Sequence, residues 1–95
     1  MARIEYAPEV FDDFDHLART SPGEAPARIA DLLQTVDILA HSPLIGRPFR
    51  DGKRELVIGR GSHGYVALYR YVPDVDTVFV LAFRSHRESG FKHDA

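Results

Sequence analysis

The residues best suited to chemistry form a cluster near the end of the chain. Arg84, His86, Arg87 and Glu88 lie within five positions, directly after a long apolar run. Arginine binds phosphate through a planar set of donors, and histidine exchanges protons near neutral pH. The cluster therefore suits either the binding and cleavage of a phosphodiester or the binding of an acidic partner.

The position of Arg84 at the end of a predicted strand is expected to hold its guanidinium at a sheet edge. His86 is the proton-transfer group nearest to it, and Glu88 suits either a base or an ion pair with a neighbouring arginine. Both Arg84 and His86 also fit simpler roles, as a partner-binding arginine and as a solvent-exposed histidine. The choice between these roles stays open at this point.

No metal or cofactor site is expected. The chain has no cysteine, which excludes disulfides, thiolate metal ligands and a thiol nucleophile. His16, His63 and His93 show no ligand spacing, and the Gly59-Arg60-Gly61 segment lacks the strand-to-helix context of a phosphate-binding loop.

Length and composition indicate one soluble domain covering residues 1–95. Hydrophobic residues make up 44% of the chain and charged residues 27%, which is ordinary for a folded protein. No segment approaches the roughly 18 apolar residues of a membrane span, and the first residues lack the pattern of a signal peptide. A cytoplasmic location is therefore expected.

The charge is unevenly distributed along the chain. Residues 1–45 hold three basic and eight acidic residues, a net charge of −5, whereas residues 46–95 hold nine basic and six acidic residues, a net charge of +3. The positive half also contains the arginine and histidine cluster, so it could attract an anionic partner. Alternatively, the two halves attract each other within one fold.

The first half of the chain predicts a short strand and two helices. Arg3 to Tyr6 alternates polar and apolar residues, and a helix with one apolar face follows from Pro8 to Thr20. A second helix is predicted from Pro26 to His41, because apolar residues recur at helical spacing at Ile29, Leu32, Leu33, Val36, Leu39 and Ala40. Two such helices with a short connection form a hairpin.

The second half predicts a loop and three strands. The loop covers Pro43 to Lys53; the strands cover Arg54 to Ile58, Gly64 to Val72 and Thr77 to Arg84, with a turn at residues 73–76. The last strand is apolar on both faces, which predicts an interior position. The expected fold is α+β, with the helix hairpin packed on one face of a mainly antiparallel sheet and the other face partly open.

These elements carry segments that resemble the RelE/ParE superfamily, the toxins of type II toxin–antitoxin modules. The similar segments follow one another in the family's order and cover nearly the whole chain: Ser42-Pro43, Gly46-Arg47-Pro48, Arg54-Glu55-Leu56, the tyrosine-rich Tyr65–Tyr71, and Arg84–Phe91. The resemblance implies a two-layer toxin of a bacterial growth-inhibition or plasmid stabilisation module. It also implies a cognate antitoxin that wraps around the toxin.

The resemblance further implies two alternative activities. RelE-like members cleave messenger RNA in the ribosome, and ParE-like members poison DNA gyrase. In the first case Arg84 and Arg60 would contact the scissile phosphate, with His86 as a possible catalytic group. In either case Arg87, Lys53 and Arg54 are candidate target-binding or phosphate-binding residues.

Two departures from the RelE-like pattern favour the ParE-like activity. Phe91 stands where RelE-like ribonucleases carry a catalytic tyrosine, and the chain is mildly acidic, whereas proteins that dock on RNA are usually basic. A third hypothesis is a degenerate member that only binds its antitoxin. Tyr65, Tyr69 and Tyr71 are interpreted as core and antitoxin-interface residues rather than as a base-stacking face.

Overall fold

The computed structural model describes residues 1–59 and 64–85. Five strands lie in this part of the chain: Arg3–Tyr6 (β1), Arg47–Pro48 (β2), Arg54–Ile58 (β3), Tyr65–Val72 (β4) and Thr77–Ser85 (β5). Two α-helices, Glu9–Thr20 (α1) and Ala25–Val36 (α2), follow β1, and short 3₁₀ turns cover Asp37–Ala40, Arg50–Gly52 and Pro73–Val75. The predicted strand, helix hairpin and three C-terminal strands are therefore confirmed.

The strands form one sheet in the order β1-β5-β4-β3-β2. β1 pairs with β5 in parallel, from Arg3 opposite Thr77 to Tyr6 opposite Val80. The other neighbouring strands pair antiparallel. This confirms the α+β class with a mainly antiparallel sheet, and β5 occupies the interior position that its apolar faces predict.

The core lies between the helices and one face of the sheet. It joins helix residues such as Val10, Leu32 and Val36 to sheet residues such as Tyr69 and Val80, all at most 2% exposed. The ring of Phe14 on α1 stacks on Phe83 of β5, with 5.5 Å between ring centroids. Burial of this apolar surface is the main force that holds the helix hairpin on the sheet.

The second helix departs from the prediction at its C-terminal end. The α-helix ends at Val36 instead of His41, and the chain continues as a tighter 3₁₀ turn from Asp37–Ala40. This turn buries Leu39 completely, and the carbonyl of Ala40 accepts a hydrogen bond from the Ala2 N–H at 2.7 Å. The tighter last turn thus attaches the helix hairpin to the start of the sheet.

The segment predicted as a plain loop contains the edge strand β2 and a 3₁₀ turn. The reversal between β2 and β3 uses two left-handed residues, Asp51 with φ 59° and Gly52 with φ 75°. It is closed by a 2.8 Å hydrogen bond from the Phe49 N–H to the Lys53 carbonyl. A strand of two residues is too short to show an alternating pattern, so the sequence did not predict β2.

The turn between β4 and β5 lies where the sequence predicts it. Asp76 adopts a left-handed conformation with φ 45°, and the Tyr71 hydroxyl donates a 2.7 Å hydrogen bond to its carboxylate. Further along this hairpin the register shifts, because Leu68 pairs with Ala82 while Tyr69 pairs with Val80. In the described part of the chain, neither helix has the length and apolar character needed to cross a membrane.

Candidate functional site

The candidate site lies on the sheet face that points away from the helices. Alternation along the strands places Ala67 and Tyr69 in the core, so Val66, Leu68 and Arg70 lie on the other face. Val66 and Leu68 are nevertheless almost fully buried. The neighbouring strands add Glu55 and Val57 from β3 and Ala82 and Arg84 from β5.

Arg84 is held on this face by a buried carboxylate. Its Nη2 lies 3.9 Å from Oε2 of Glu55, which reaches it across the intervening strand β4. Oε1 of Glu55 accepts a 2.9 Å hydrogen bond from Nε of Arg47 on β2. Glu55 therefore joins three strands by bringing two guanidinium groups to one carboxylate.

Arg54 points towards the preceding loop. Its Nη1 donates hydrogen bonds to the carbonyls of Gly46, at 2.8 Å, and of Leu44, at 3.2 Å. Lys53, the other basic residue predicted at this position, is only 5% exposed. Arg54 thus ties the loop to β3, and most of Lys53 lies inside the fold.

The hydroxyl of Tyr69 completes the attachment of the loop. It accepts a 2.9 Å hydrogen bond from the Gly46 N–H in a buried position. Burial raises the pKa of Tyr69, although the Gly46 N–H and the charge of Arg54 act in the opposite direction. The backbone of Gly46 is therefore fixed by Tyr69 at its N–H and by Arg54 at its carbonyl.

This close approach explains the glycine of the Gly46-Arg47-Pro48 segment. A Cβ atom at residue 46 would lie 2.6 Å from the Tyr69 hydroxyl oxygen and 2.8 Å from the Glu55 carbonyl oxygen. Neither distance is possible without movement of the sheet or the tyrosine ring. The glycine is needed here for space, because any side chain would push the loop away from β3.

The three tyrosines of β4 have different surroundings. Tyr69 belongs to the core, which confirms that part of the interpretation, and Tyr65 and Tyr71 are half-buried and pack against the core. The hydrogen bond to Asp76 is the main cause of the raised pKa of Tyr71. A role of these side chains in binding an antitoxin stays a prediction.

The structure does not bring together the described residues that the sequence predicts for the site. Arg84 lies on the sheet face that points away from the helices, whereas Arg54 pairs with the core-facing Tyr69 and so lies on the other face, with Lys53 just before it. Arg60, His86 and Arg87 lie outside the described residues, as do Glu88 and Phe91. Their proposed roles therefore remain predictions from the sequence.

Two acidic residues, Asp13 and Glu55, make contacts within the fold that the sequence did not predict. Asp13 on α1 is buried, and its Oδ2 accepts a 3.0 Å hydrogen bond from the Phe83 N–H. Glu55 is the ion-pair partner of Arg84. The alternation of Arg54–Ile58 could have shown that Glu55 shares a face with Val57, but not which cation it meets.

Across residues 1–59 and 64–85, histidine, aspartate and glutamate side chains form no group of three or more that could hold a metal ion. What the described site offers is a pair of arginines organised by a carboxylate, beside a loop fixed to the sheet edge. This arrangement can bind an anionic or polar partner surface.

Comparison with known proteins assigns this chain to a family. The family model described as the ParE toxin of the type II toxin–antitoxin system, parDE, matches residues 4–90. Toxin RelE3 of Caulobacter vibrioides is 36% identical over 78 residues, which cover 78% of this chain and 85% of that protein.

Two solved structures share the fold. One, described as a chromosomal ParDE TA system from P. aeruginosa, superposes with a TM-score of 0.68 at 20% identity and covers 90% of this chain and 96% of that one. A metal-bound toxin from Helicobacter pylori gives a TM-score of 0.55 at 17% identity, covering 95% of this chain and all of that one. With the sequence matches, they place the chain among the small α+β toxins of type II toxin–antitoxin systems. The chain belongs to the ParE toxin family within the RelE/ParE superfamily.

Proposed function

We propose that this toxin arrests growth by binding a macromolecular target, DNA gyrase, rather than by cleaving RNA. We propose further that a cognate antitoxin neutralises it and that it acts in the cytoplasm, where gyrase is found. Membership of the family establishes the class of protein, a toxin of a type II toxin–antitoxin system. The choice of a binding mechanism rests on how the described basic residues are used.

The observation that supports binding is that Arg84, Arg54 and Lys53 are held by contacts or burial within the fold. Arg84 lies beside the carboxylate of Glu55, and Arg54 donates to two loop carbonyls. Lys53 is buried. Cleavage of a phosphodiester without a metal needs cations that face the scissile phosphate and a group that moves protons. The three described residues instead stabilise a fixed surface, which suits a toxin that binds.

One observation favours ribosome-dependent mRNA cleavage as a second candidate. The relative of 36% identity is named as a RelE toxin. In that case Arg84 would have to exchange its contact with Glu55 for one with the phosphate. Arg60 and His86 would supply the remaining groups, and Phe91 would leave the site without the tyrosine of RelE-like enzymes.

Expression of the full chain without antitoxin in a bacterial host separates the candidates. The gyrase proposal predicts growth arrest with DNA breaks and an SOS response, while mRNA 5′ ends stay as in uninduced cells. New 5′ ends within translated codons, without DNA damage, would contradict it and support the nuclease. A chain that binds its antitoxin but causes no growth defect would instead be a degenerate member.

A further inference from the structure

The two edges of the sheet differ in how readily another strand could join them. β2 at one edge covers only Arg47–Pro48, and proline has no N–H to donate. β1 at the other edge covers Arg3–Tyr6 and contains no proline. Very short strands and prolines are common protections of a sheet edge against strand addition. β2 has both protections, whereas β1 is longer and its backbone is not blocked.

Alternate residues of β1 direct their backbone groups away from β5. The N–H groups of Arg3 and Ala7 donate hydrogen bonds of 2.9 Å and 2.8 Å to the carbonyls of Asp76 and of a β5 residue. Because backbone groups alternate in direction along a strand, those of Ile4 and Tyr6 face the outer edge. Within residues 1–59 and 64–85, no hydrogen bond reaches the outward N–H groups of these two residues. The outer edge of β1 therefore presents donors and acceptors that an added strand could bind.

The open edge has defined ends. Before it, the Ala2 N–H is already bound to the Ala40 carbonyl at 2.7 Å. After it, Pro8 has no N–H and precedes the first turn of α1. An added strand would therefore pair with the segment from Ile4 to Tyr6.

The side chains of β1 indicate the composition of a strand that fits beside it. Ile4 and Tyr6 are half-buried and pack against the core, on the helix side of the sheet. Arg3 and Glu5 lie on the opposite face and form an exposed ion pair of 2.9 Å. Neighbouring side chains on one face of a sheet contact each other. A fitting strand therefore has apolar residues towards the helices, and on the other face an acidic residue beside Arg3 and a basic one beside Glu5.

A second folded copy of this chain is a poor occupant of the edge. Pairing over about three residues buries far less than the roughly 1,000 Å² that a specific interface needs. An extended segment of an antitoxin has no such limit, because other parts of the same partner chain contribute to binding. In strand addition, main-chain hydrogen bonds give affinity and alternate side chains give specificity.

The geometry points to the outer edge of β1 as the place where an extended segment of the cognate antitoxin adds a strand to the sheet. This inference rests on the proposed antitoxin partner and adds where, and in which conformation, that partner binds. The added strand bonds the outward groups of Ile4 and Tyr6. The antitoxin thereby covers the edge that the toxin leaves open.

The first measurement is amide exchange by NMR, on the full chain alone and in complex with the antitoxin encoded beside its gene. The Ile4 and Tyr6 N–H groups face outwards in the free chain, whereas the Glu5 N–H lies in the ladder with β5. Glu5 is the internal control, because general stabilisation of the sheet slows its exchange too. We expect antitoxin to slow exchange at Ile4 and Tyr6 at least about tenfold more than at Glu5.

The second measurement removes one outward N–H with proline. Ile4→Pro deletes this group but leaves the hydrogen bonds between β1 and β5, because Ile4 faces away from β5. Ile4→Ala is the matched control, since it shortens the side chain and keeps the N–H. The Kd for immobilised antitoxin is expected to be at least about tenfold higher for Ile4→Pro than for Ile4→Ala. Thermal unfolding checks that both variants fold, and if Ile4→Pro does not, the exchange measurement on the unaltered chain decides.

Two results would overturn the strand-addition site alone. One is equal slowing of exchange at Ile4 and Glu5 in the complex, and the other is an equal Kd for folded Ile4→Pro and Ile4→Ala. Protection of Ile4 and Tyr6 that rises with toxin concentration in the absence of antitoxin would assign the edge to a second copy, and so also overturn it. If the unaltered chain does not bind the antitoxin, the proposed partner itself is wrong.

Discussion

Glu55 and Arg84 lie on strands that are not neighbours, yet their side chains meet across β4, with 3.9 Å between Oε2 and Nη2. The same carboxylate binds Arg47 on the edge strand. One buried acidic residue thus orients a candidate functional arginine and secures the shortest strand of the sheet. The stability of the sheet edge and of the nearby loop should therefore depend on a few identifiable contacts.

Replacement of Glu55 by glutamine should destabilise the fold. Glu55→Gln leaves Arg84 and Arg47 without their shared charge partner, and the loss is moderated because Arg47 is largely exposed. We expect the free energy of unfolding to fall by about 1–2 kcal/mol in urea denaturation. Glu24→Gln, in an exposed pair with Arg28, is the control and should change it by less than about 0.5 kcal/mol. Equal effects of the two variants would show that burial of the Glu55 pair adds nothing.

An alanine at position 46 should also be costly. Its Cβ atom would meet the Tyr69 hydroxyl at 2.6 Å, so the loop or the ring must shift. The expected loss for Gly46→Ala is about 1–3 kcal/mol of unfolding free energy. Gly23→Ala serves as the control, because a Cβ at residue 23 meets nothing within 4 Å, and it should be neutral or slightly stabilising. A neutral Gly46→Ala would contradict the described packing of the loop.

Much of the fold was predictable because its signals are local. Apolar spacing of about 3.6 residues marks α1 and α2, and alternation marks β3 and β4. β2 was not predictable, since its two residues pair only because Asp51 and Gly52 adopt left-handed conformations. The last turn of the second helix became a 3₁₀ turn because Leu39 and Ala40 have tertiary partners, which periodicity does not reveal.

The candidate site was predictable only in part, because most of its contacts join residues that are distant in the sequence. The position of Arg84 at the end of an apolar strand follows from the sequence itself. Its contact with Glu55 depends on two strand registers, and the contact of Tyr69 with Gly46 joins residues that are 23 positions apart. Such contacts are set by the sheet as a whole, so no local pattern contains them.

Alkaline pH should weaken the fold through Tyr69. Burial raises the pKa of this hydroxyl above its ordinary value of 10.0, so the folded state favours the protonated form. The resulting stability is complete below the ordinary pKa and is lost as pH rises through the folded-state pKa. Between about pH 8 and about pH 11, unfolding free energy should therefore fall more in the unaltered chain than in Tyr69→Phe. Identical slopes would assign the alkaline loss to other groups.

Removal of the Asp13 carboxylate should loosen α1 from β5. Asp13→Ala leaves the buried Phe83 N–H without the carboxylate oxygen that now accepts its hydrogen bond. We expect a loss of about 1–3 kcal/mol of unfolding free energy, with most of it restored in Asp13→Asn, whose amide oxygen can accept the same bond. Asp15→Ala, at an exposed position on the same helix, should stay within about 0.5 kcal/mol of the unaltered chain. If Asp13→Ala behaves like Asp15→Ala, the contact with β5 contributes little.

The claim that this toxin binds rather than cuts is tested most directly with purified components. The full chain, released from its antitoxin complex, is titrated into a DNA supercoiling assay with bacterial gyrase, and the same preparation is added to ribosomes translating a defined mRNA. We predict dose-dependent loss of supercoiling, reversed by added antitoxin, and an intact mRNA. Unaffected gyrase together with mRNA cleaved on the ribosome would contradict the binding mechanism.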